Sequence, residues 1–332
     1  MSDLFDQPRR NFMGSTATSL AMAGVVPDSA TFGAPRQIHA GQLDVGYFEF
    51  GPVHGPTVLL LHGFPYDVHS YVEVAPMLAE HGCRVIVPYL RGHGSTRFLD
   101  GKEPRSGEQA AIGVDLIDLM DALQLPRAIL AGYDWGGRAA CVAAALWPDR
   151  CTGLVSVNSY LIQDIATAGL PLPAKVEWGL WYQHYFQTER GRAGLAANRR
   201  DIAHILWKNN SPTWAFDEAT FDRSAAAFDN PDYVDVVVHS YRHRMGLAKG
   251  FPRYADVQRK LDALPVIAVP TITLDGDADG VVPSTDGKNS ASHFSQRQHR
   301  VVPGIGHNLP QEAPAVFADA VWELASASQR KA

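Results

Sequence analysis

The chain has 332 residues, 46% of them apolar, and its 29 Lys and Arg against 35 Asp and Glu give a formal net charge of −6 at pH 7. This composition is typical of a globular chain with one large domain or two ordinary ones. The mild acidity excludes a basic nucleic-acid surface, and no apolar run reaches the roughly 18 residues of a membrane span. Three cysteines are too few for a disulfide framework, so the hydrophobic core must hold the fold.

The N-terminal 30 residues differ from the rest of the chain. Paired Arg9 and Arg10 precede a charge-free segment, 14–26, that is rich in Ala, Ser and Gly. This order is typical of a twin-arginine signal, which would export the folded protein to the periplasm. Because Asp3 and Asp6 offset the two arginines, a surface extension on a cytoplasmic protein is the alternative interpretation.

The next part of the chain alternates between strand-like and helix-like segments. Residues 37–50 alternate apolar and polar side chains, as an antiparallel hairpin with one solvated face does. Short apolar runs, typical of strands buried on both faces, follow at 57–61, 84–88, 127–131 and 153–157. Helical patterns lie between them at 70–80, 107–123 and 138–146. This alternation predicts an open, mostly parallel α/β sheet with helices on both faces and right-handed crossovers.

A change of composition marks a second region. From residue 161 to residue 252 the chain is rich in Trp, Tyr, His and Arg at helical spacing. Strand patterns return at 271–274 and 299–302, and an amphipathic helix pattern ends the chain at 313–324. We therefore predict a sheet domain interrupted by a helical lid, with boundaries of 31–160 and 253–332 for the sheet domain and 161–252 for the lid.

A polar residue flanked by small ones follows the strand predicted at 127–131. The segment Gly132-Tyr-Asp-Trp-Gly-Gly leads directly into an Ala-rich helix, which is the strand, turn and helix order of a nucleophile elbow. The side chain at the elbow is a carboxylate, Asp134, so a serine esterase is disfavoured. An aspartate that attacks an sp³ carbon forms an alkyl ester, which suits substitution at carbon. The alternative is an ordinary helix N-cap at Asp134.

A nucleophile of this kind needs a histidine to activate water and an acid to orient that histidine. His307 lies in a Gly-rich loop after the last predicted strand and is the candidate base. Three acids follow the preceding strand, and Asp279, in the spacing Gly276-x-x-Asp279-x-x-x-Pro283, is the candidate acid. Asp277 is the alternative acid.

Two patterns could suit a metal ion, and we interpret neither as a metal site. A relaxed calcium-loop pattern is interrupted by Pro283 and preceded by a strand instead of a helix; it consists of Asp275, Asp277, Asp279, Gly280 and Asp286. His239 and His243 are four residues apart on a predicted helix without a third ligand nearby, which favours a packed or solvated helix face. A Gly-x-Gly-x-x-Gly fingerprint is missing around Asp134, so no cofactor is predicted.

The order of nucleophile, acid and histidine, together with His62-Gly-Phe-Pro after an early strand, resembles the α/β-hydrolase superfamily and, within it, the epoxide hydrolases. The resemblance extends from about residue 37 to residue 326. It implies an oxyanion hole formed by the backbone N–H groups of Phe64 and Trp135, and a structural role for His62. A non-catalytic receptor on this fold would usually lack a member of the triad, and all three are available here.

The lid carries the features that distinguish the reactions of this superfamily, since haloalkane dehalogenases also have Asp-Trp at the elbow. Resemblance to the epoxide hydrolases aligns Tyr182 and Tyr241 with two ring-opening tyrosines. A phenol can protonate a departing alkoxide but has little use for a halide. Packing within the lid is the alternative role for both tyrosines, and Tyr185 is the alternative to Tyr182.

Haloacetate dehalogenases share the His-Gly-Phe-Pro segment, but they resemble one another in having Asp-Arg at the elbow, where the arginine holds a carboxylate. Trp135 takes that place here, although Arg138 lies nearby. We therefore expect an epoxide hydrolase that acts on a small apolar epoxide and water, with a haloalkane or haloacetate dehalogenase as the alternative. The substrate pocket is expected to have an aromatic lining of Phe64, Trp135, Trp181, Tyr185 and Phe186.

Overall fold

The computed structural model describes residues 32–330, and the predicted export signal lies outside these residues. The strands are β1 (Arg36–Ala40), β2 (Leu43–Phe50), β3 (Thr57–Leu61), β4 (Arg84–Pro88), β5 (Arg97–Phe98), β6 (Ala128–Gly132), β7 (Cys151–Val157), β8 (Thr271–Gly276) and β9 (Arg297–Val302). They form one sheet in the order β1-β2-β4-β3-β6-β7-β8-β9, and β5 pairs with β2. The pairings from β4 to β9 are parallel, whereas β2 is antiparallel to β1, β4 and β5.

Helices surround the sheet and fill the long connection between β7 and β8. They are α1 (Val74–Glu80), α2 (Gln109–Ala122), α3 (Asp134–Leu146), α4 (Ala174–Gly179), α5 (Trp181–Tyr185), α6 (Glu189–Ala197), α7 (Arg199–Asn210), α8 (Glu218–Ala225), α9 (Tyr233–Arg244), α10 (Ala255–Leu261), α11 (Leu309–Glu312) and α12 (Pro314–Gln329). α1 packs against α12, α2 packs against α3, and both α3 and α12 contact β6 and β7. The sheet is thus covered on its two faces, as its apolar strands require.

The predicted strands are confirmed to within two residues, and β5, with two residues, is too short to leave a pattern in the sequence. Two helix predictions are wrong at their starts. The helix predicted from residue 70 begins at Val74, because the Asp67 side chain caps a separate short turn over Val68–Tyr71. The helix predicted from residue 138 begins four residues earlier, at Asp134. Gly136 and Gly137 are part of the helix, where they allow close packing against neighbouring segments.

The connection between β7 and β8 contains the segment that the sequence predicts to be a lid. The six helices α4 to α9 all lie between residues 161 and 252, and α10, which follows, packs against α2 of the sheet region. No helix within residues 32–330 combines the length and the apolar character that crossing a bilayer requires.

The topology brings distant segments of the chain to one edge of the sheet. Because β3, β6, β8 and β9 are parallel, the loops that follow them meet at their carboxyl ends. These loops carry Phe64, Asp134, Asp279 and His307. Strand order thus brings together four of the residues that the sequence predicts to carry the chemistry.

Candidate active site

Asp134 occupies a tight backbone turn between β6 and α3. Its φ of 48° lies in the left-handed region, which is uncommon for a residue other than glycine. A Cβ on Gly136 would lie 2.0 Å from the carbonyl oxygen of Leu61, and a Cβ on Gly132 would lie 2.7 Å from the backbone carbon of Gly136. Only glycine fits these two positions, so the elbow predicted from the sequence is present.

The Asp134 carboxylate is held by groups from two other loops. Its Oδ1 accepts a hydrogen bond from the N–H of Phe64 at 2.7 Å, and its Oδ2 lies 3.8 Å from Nε2 of His307. The N-cap of α3 is Tyr133, so the alternative of Asp134 as an N-cap is wrong. Burial alone would raise the pKa of Asp134, but His307 and the Phe64 N–H outweigh it and lower the pKa below its ordinary value.

His307 is buried between two carboxylates. Its Nδ1 lies 2.7 Å from Oδ2 of Asp279, on the side opposite Asp134. Burial lowers the pKa of His307, but the charges of Asp279 and Asp134 more than compensate and raise it from 6.5 to about 10. His307 is therefore an imidazolium at neutral pH as long as both carboxylates are ionised.

Asp279, and not Asp277, lies beside the histidine. Its Oδ1 accepts hydrogen bonds from the N–H groups of Val281 (2.7 Å) and Val282 (2.9 Å), and its Oδ2 accepts a third bond from Nδ2 of Asn158 (3.1 Å). The side chain is fully buried. Asp277 is exposed and accepts a hydrogen bond from the N–H of Gly304.

The C-terminal end of α7 contacts the loops that carry Asp279 and His307. The N–H of His307 contacts Oγ of Ser211 at 3.0 Å and the carbonyl oxygen of Asn210 at 3.2 Å, and that carbonyl also accepts the N–H of Gly280. The indole of Trp207 donates to the carbonyl oxygen of Pro65 at 2.7 Å. The end of α7 thus contacts the three loops that carry Asp279, His307 and Phe64.

The loop after β3 approaches the nucleophile closely. A Cβ on Gly63 would lie 2.6 Å from Cβ of Asp134, so a glycine is required before Phe64. Nε2 of the buried His62 accepts a hydrogen bond from the N–H of Leu90, as expected of a residue with a structural role. The N–H of Phe64 reaches the carboxylate, and Trp135 provides a second amide in the first turn of α3, where backbone N–H groups lack helical acceptors.

Tyr182 of α5 and Tyr241 of α9 face each other in the lid. Their ring centroids are 5.3 Å apart, and both side chains are buried. Burial is the main cause that raises the pKa of each phenol, and the charge of Asp134 adds to it. The hydroxyl of Tyr241 has no hydrogen-bond partner among residues 32–330. Both phenols therefore keep their protons at neutral pH.

The five aromatic residues predicted to line the pocket form a cluster of rings, but none of them is among the residues that line the cavity beside Asp134. The Phe64 ring stacks on Trp135 at 5.5 Å and contacts Tyr241 and Tyr182, and these rings also contact the buried Phe186 and, at the edge, Trp181. The ring of Tyr185 contacts Trp181 and Phe186, and its hydroxyl points to α6, where a Cβ on Gly194 would lie 2.0 Å from it. We therefore assign Tyr185 to packing within the lid.

A cavity of about 400 Å³ opens beside the nucleophile and is lined by Asp134, His307, Tyr182 and Arg244. Its other walls are mainly apolar and include Leu161, Leu172, Val176, Leu180, Met245 and Val282. The composition of the 161–252 region gives no sign of these apolar walls, because they depend on how α4, α5 and α9 pack.

Two arginines join the site. Arg138 is buried one helical turn after Asp134, and Arg244, at the end of α9, lies with its guanidinium carbon 5.2 Å from the centroid of the Tyr241 ring. The spacing of four residues after the nucleophile could have indicated Arg138. No local pattern indicates Arg244, since only the packing of the lid brings it to the cavity.

The residues of the two metal-like patterns have other partners. Asp275 accepts the N–H of Thr285, and His243 lies 3.7 Å from the carboxylate of Glu108. Within residues 32–330 no three His, Cys, Asp or Glu side chains are grouped so that they could hold a metal ion.

Comparisons with known proteins show which family this chain is similar to. A family model of the alpha/beta hydrolase fold matches residues 56–314. A solved structure of a candidate epoxide hydrolase from Klebsiella pneumoniae is 48% identical with a TM-score of 0.87, and the match covers 90% of this chain and 99% of that one.

Two curated proteins of Mycobacterium tuberculosis are also similar. Epoxide hydrolase B is 33% identical over 151 residues, which are 41% of this chain and only 41% of that protein. Epoxide hydrolase A is 25% identical over 321 residues, which are 88% of this chain and 98% of that protein. The chain therefore belongs to the α/β-hydrolase fold family and, within it, to the epoxide hydrolases.

Proposed function

We propose that this protein is an epoxide hydrolase, which converts an epoxide and water into a vicinal diol through an ester of Asp134. The observation that carries the proposal is that the ionised carboxylate of Asp134 and the protonated phenol of Tyr182 line one cavity, and that the buried phenol of Tyr241 packs against Tyr182. A carboxylate can open the ring, and a phenol can protonate the oxygen that leaves. The similarity to proteins named epoxide hydrolases supports the same reaction.

In the first step, an Oδ atom of Asp134 attacks an epoxide carbon, and the bond between that carbon and the ring oxygen breaks. The electron pair of this bond stays on the oxygen, which takes a proton from Tyr182 or Tyr241. The products are a hydroxyalkyl ester of Asp134 and a tyrosinate. The position of Asp134 at a strained elbow favours this attack, because the turn presents the carboxylate to the cavity.

In the second step, His307 takes a proton from a water molecule whose oxygen attacks Cγ of the ester. The N–H groups of Phe64 and Trp135 stabilise the oxyanion, and one such donor is worth roughly 3 kcal/mol. The ester C–O bond at Cγ then breaks, and His307 returns its proton to the departing oxygen of the diol. His307 must first give up its imidazolium proton to solvent, which happens once ester formation has removed the charge of Asp134. At the end of the cycle the proton left on Asp134 passes to the tyrosinate and His307 takes up a proton from solvent again, so every group regains its starting charge.

The charge of Asp134 determines at which step His307 can act as a base. Asp134 contributes to the high pKa of His307 as long as it is a carboxylate. Ester formation removes that charge, so the pKa of His307 falls at the step that needs a neutral imidazole. Asp279 keeps its charge and orients the ring through Nδ1.

A dehalogenase that uses Asp134, His307 and Asp279 in the same way is the second candidate. The indole N–H of Trp135 favours it, because this donor is buried next to the nucleophile and has no acceptor among residues 32–330. A departing halide could accept from it.

A panel of epoxides and haloalkanes distinguishes the two candidates. We expect diol formation from epoxides and no halide release, because two phenols are available to a departing alkoxide. Diol is measured by chromatography and halide by ion-selective electrode on the same enzyme preparation. Halide release without diol formation would establish the second candidate and exclude the first.

His307→Gln should trap the ester, because the base that activates water is missing while the nucleophile is intact. Mass spectrometry of the intact protein should then show a stable increase equal to the mass of the epoxide. The exposed His39 of β1 provides the matched control, and His39→Gln should turn over without an adduct. A variant of His307 that forms no adduct yet loses activity would contradict the assigned base.

Tyr182→Phe and Tyr241→Phe should slow ester formation by roughly 10²-fold or more, the usual contribution of a positioned proton donor. The rate is read from adduct formation in the His307→Gln background, so that only the first step is observed. Tyr185→Phe is the control, since its hydroxyl lies beside Gly194, and it should leave the rate unchanged. An unaltered rate in both test variants would show that the two phenols do not donate the proton.

The raised pKa of His307 also predicts a pH dependence of stability. A group whose pKa is 6.5 in the unfolded chain and about 10 in the folded protein stabilises the fold below pH 6.5. This stabilisation is lost as the pH rises from 6.5 to about 10. The difference in unfolding free energy between wild type and His307→Gln, from urea titrations, should decrease across this range. A constant difference would mean that the folded protein does not hold the imidazolium.

A further inference from the structure

The nucleophile is accompanied by two guanidinium groups that have unused donors. Nε and Nη1 of Arg138 are buried without a hydrogen-bond partner, and so is Nε of Arg244, among residues 32–330. Neither arginine forms an ion pair with an Asp or Glu of that range. A buried cation without an acceptor is costly, so these donors are suited to a bound anion.

Another buried arginine shows what a structural arginine looks like in this protein. Arg91 is fully buried, and its Nε and Nη2 each donate to a carboxylate oxygen of Asp115 at 2.6 Å. Its Nη1 donates to the carbonyl oxygen of Ser106 at 2.7 Å. Arg138 is buried to a similar degree and lacks such a set, so its place in the core is not explained by structural hydrogen bonds.

Both unpaired guanidinium groups lie at the reacting carboxylate. Arg138 follows Asp134 by one turn of α3, so the two side chains project from the same face of that helix. Arg244 lines the cavity together with Asp134 and Tyr182, and its guanidinium lies over the Tyr241 ring. The two cations are close enough to repel each other, which contributes to a pKa of about 9 for Arg138 after the larger effect of burial.

Keeping Asp134 ionised does not account for both arginines. The Phe64 N–H and His307 already contact this carboxylate. In the proposed reaction the negative charge moves from Asp134 to a tyrosinate when the ester forms, so neither group stays an anion beside the two guanidinium groups through both steps. A second anion that stays in the site through both steps would compensate for them.

We propose that this anion is a carboxylate of the substrate, bound by Arg244, which lines the cavity, and attracted also by the charge of the neighbouring Arg138, so that the substrate is an epoxide that bears a carboxylate next to the ring. Guanidinium groups match the planar geometry of a carboxylate and bind it with two donors. The apolar walls at Leu172, Val176 and Leu180 accept the remainder of the molecule. This inference rests on the proposed epoxide hydrolysis and replaces the neutral substrate expected from the sequence.

A matched pair of substrates tests the proposal. Phenylglycidate and phenylglycidamide have the same epoxide and nearly the same shape, and only the first carries a charge. We expect kcat/KM of the wild-type enzyme to be about tenfold or more higher for the acid, and Arg244→Gln to lower this ratio about tenfold, the effect of one lost charged hydrogen bond. Arg138→Gln should do the same, and Arg244→Lys should retain part of the preference.

The controls separate charge at the site from charge in general. Arg200 lies on the surface with Asp222, and Arg200→Gln should leave the ratio between acid and amide unchanged. If Arg138→Gln does not fold, as judged by circular dichroism, the partly exposed Arg244 still provides the test. Equal kcat/KM for the acid and the amide, or a ratio that Arg244→Gln does not alter, would overturn the proposal.

A binding measurement that needs no turnover distinguishes failure of this inference from failure of the proposed function. Calorimetric titration of the wild-type protein with phenylacetate and phenylacetamide should give binding of the carboxylate only, and Arg244→Gln should abolish it. If no epoxide of either kind yields diol but phenylacetate binds in this way, the anion site stands and the epoxide reaction is wrong. Equal binding of the amide, or of chloride in place of phenylacetate, would exclude a carboxylate site.

Discussion

The rest of the site depends on keeping one carboxylate ionised inside the protein. Asp134 is largely removed from water, where its charge would be most stable, and three neighbours compensate: the Phe64 N–H, the His307 imidazolium and the Arg244 guanidinium. Each compensating group comes from a different segment of the chain. The parallel sheet brings the loops of Phe64 and His307 to the edge where Asp134 lies, and the packing of α9 brings Arg244.

The same compensation explains why the proposed reaction can use one histidine for two opposite purposes. While Asp134 is charged, His307 carries a proton and stabilises the nucleophile. Once Asp134 is an ester, the imidazole is flanked by one carboxylate instead of two, and it can accept a proton from water. No movement of the protein is needed for this change, since the substrate itself alters the charge that the histidine experiences.

A site residue can be predicted from the sequence when its neighbours in the chain form a recognisable pattern. Asp134, Asp279 and His307 come shortly after predicted strands, with glycines or prolines at short distances, so their segments can be recognised without knowledge of the fold. Tyr182 and Tyr241 can be recognised only through resemblance, because the helices that carry them have no strand order to fix their position. The positions of Arg244 and of Tyr185 against Gly194 depend on how the lid helices pack. This packing joins residues that are far apart in the chain: Tyr182 and Tyr241, for example, are more than fifty positions apart.

The end of α7 has a consequence for the evolution and engineering of this protein. Asn210 and Ser211 belong to the lid by position in the chain, but they hold the backbone of His307 and of the acid loop, and Trp207 holds the loop that carries Phe64. A lid exchanged with a relative to change substrate preference would take these supports with it. The interchangeable part of the lid is therefore smaller than the insertion, and a successful graft would end before Trp207.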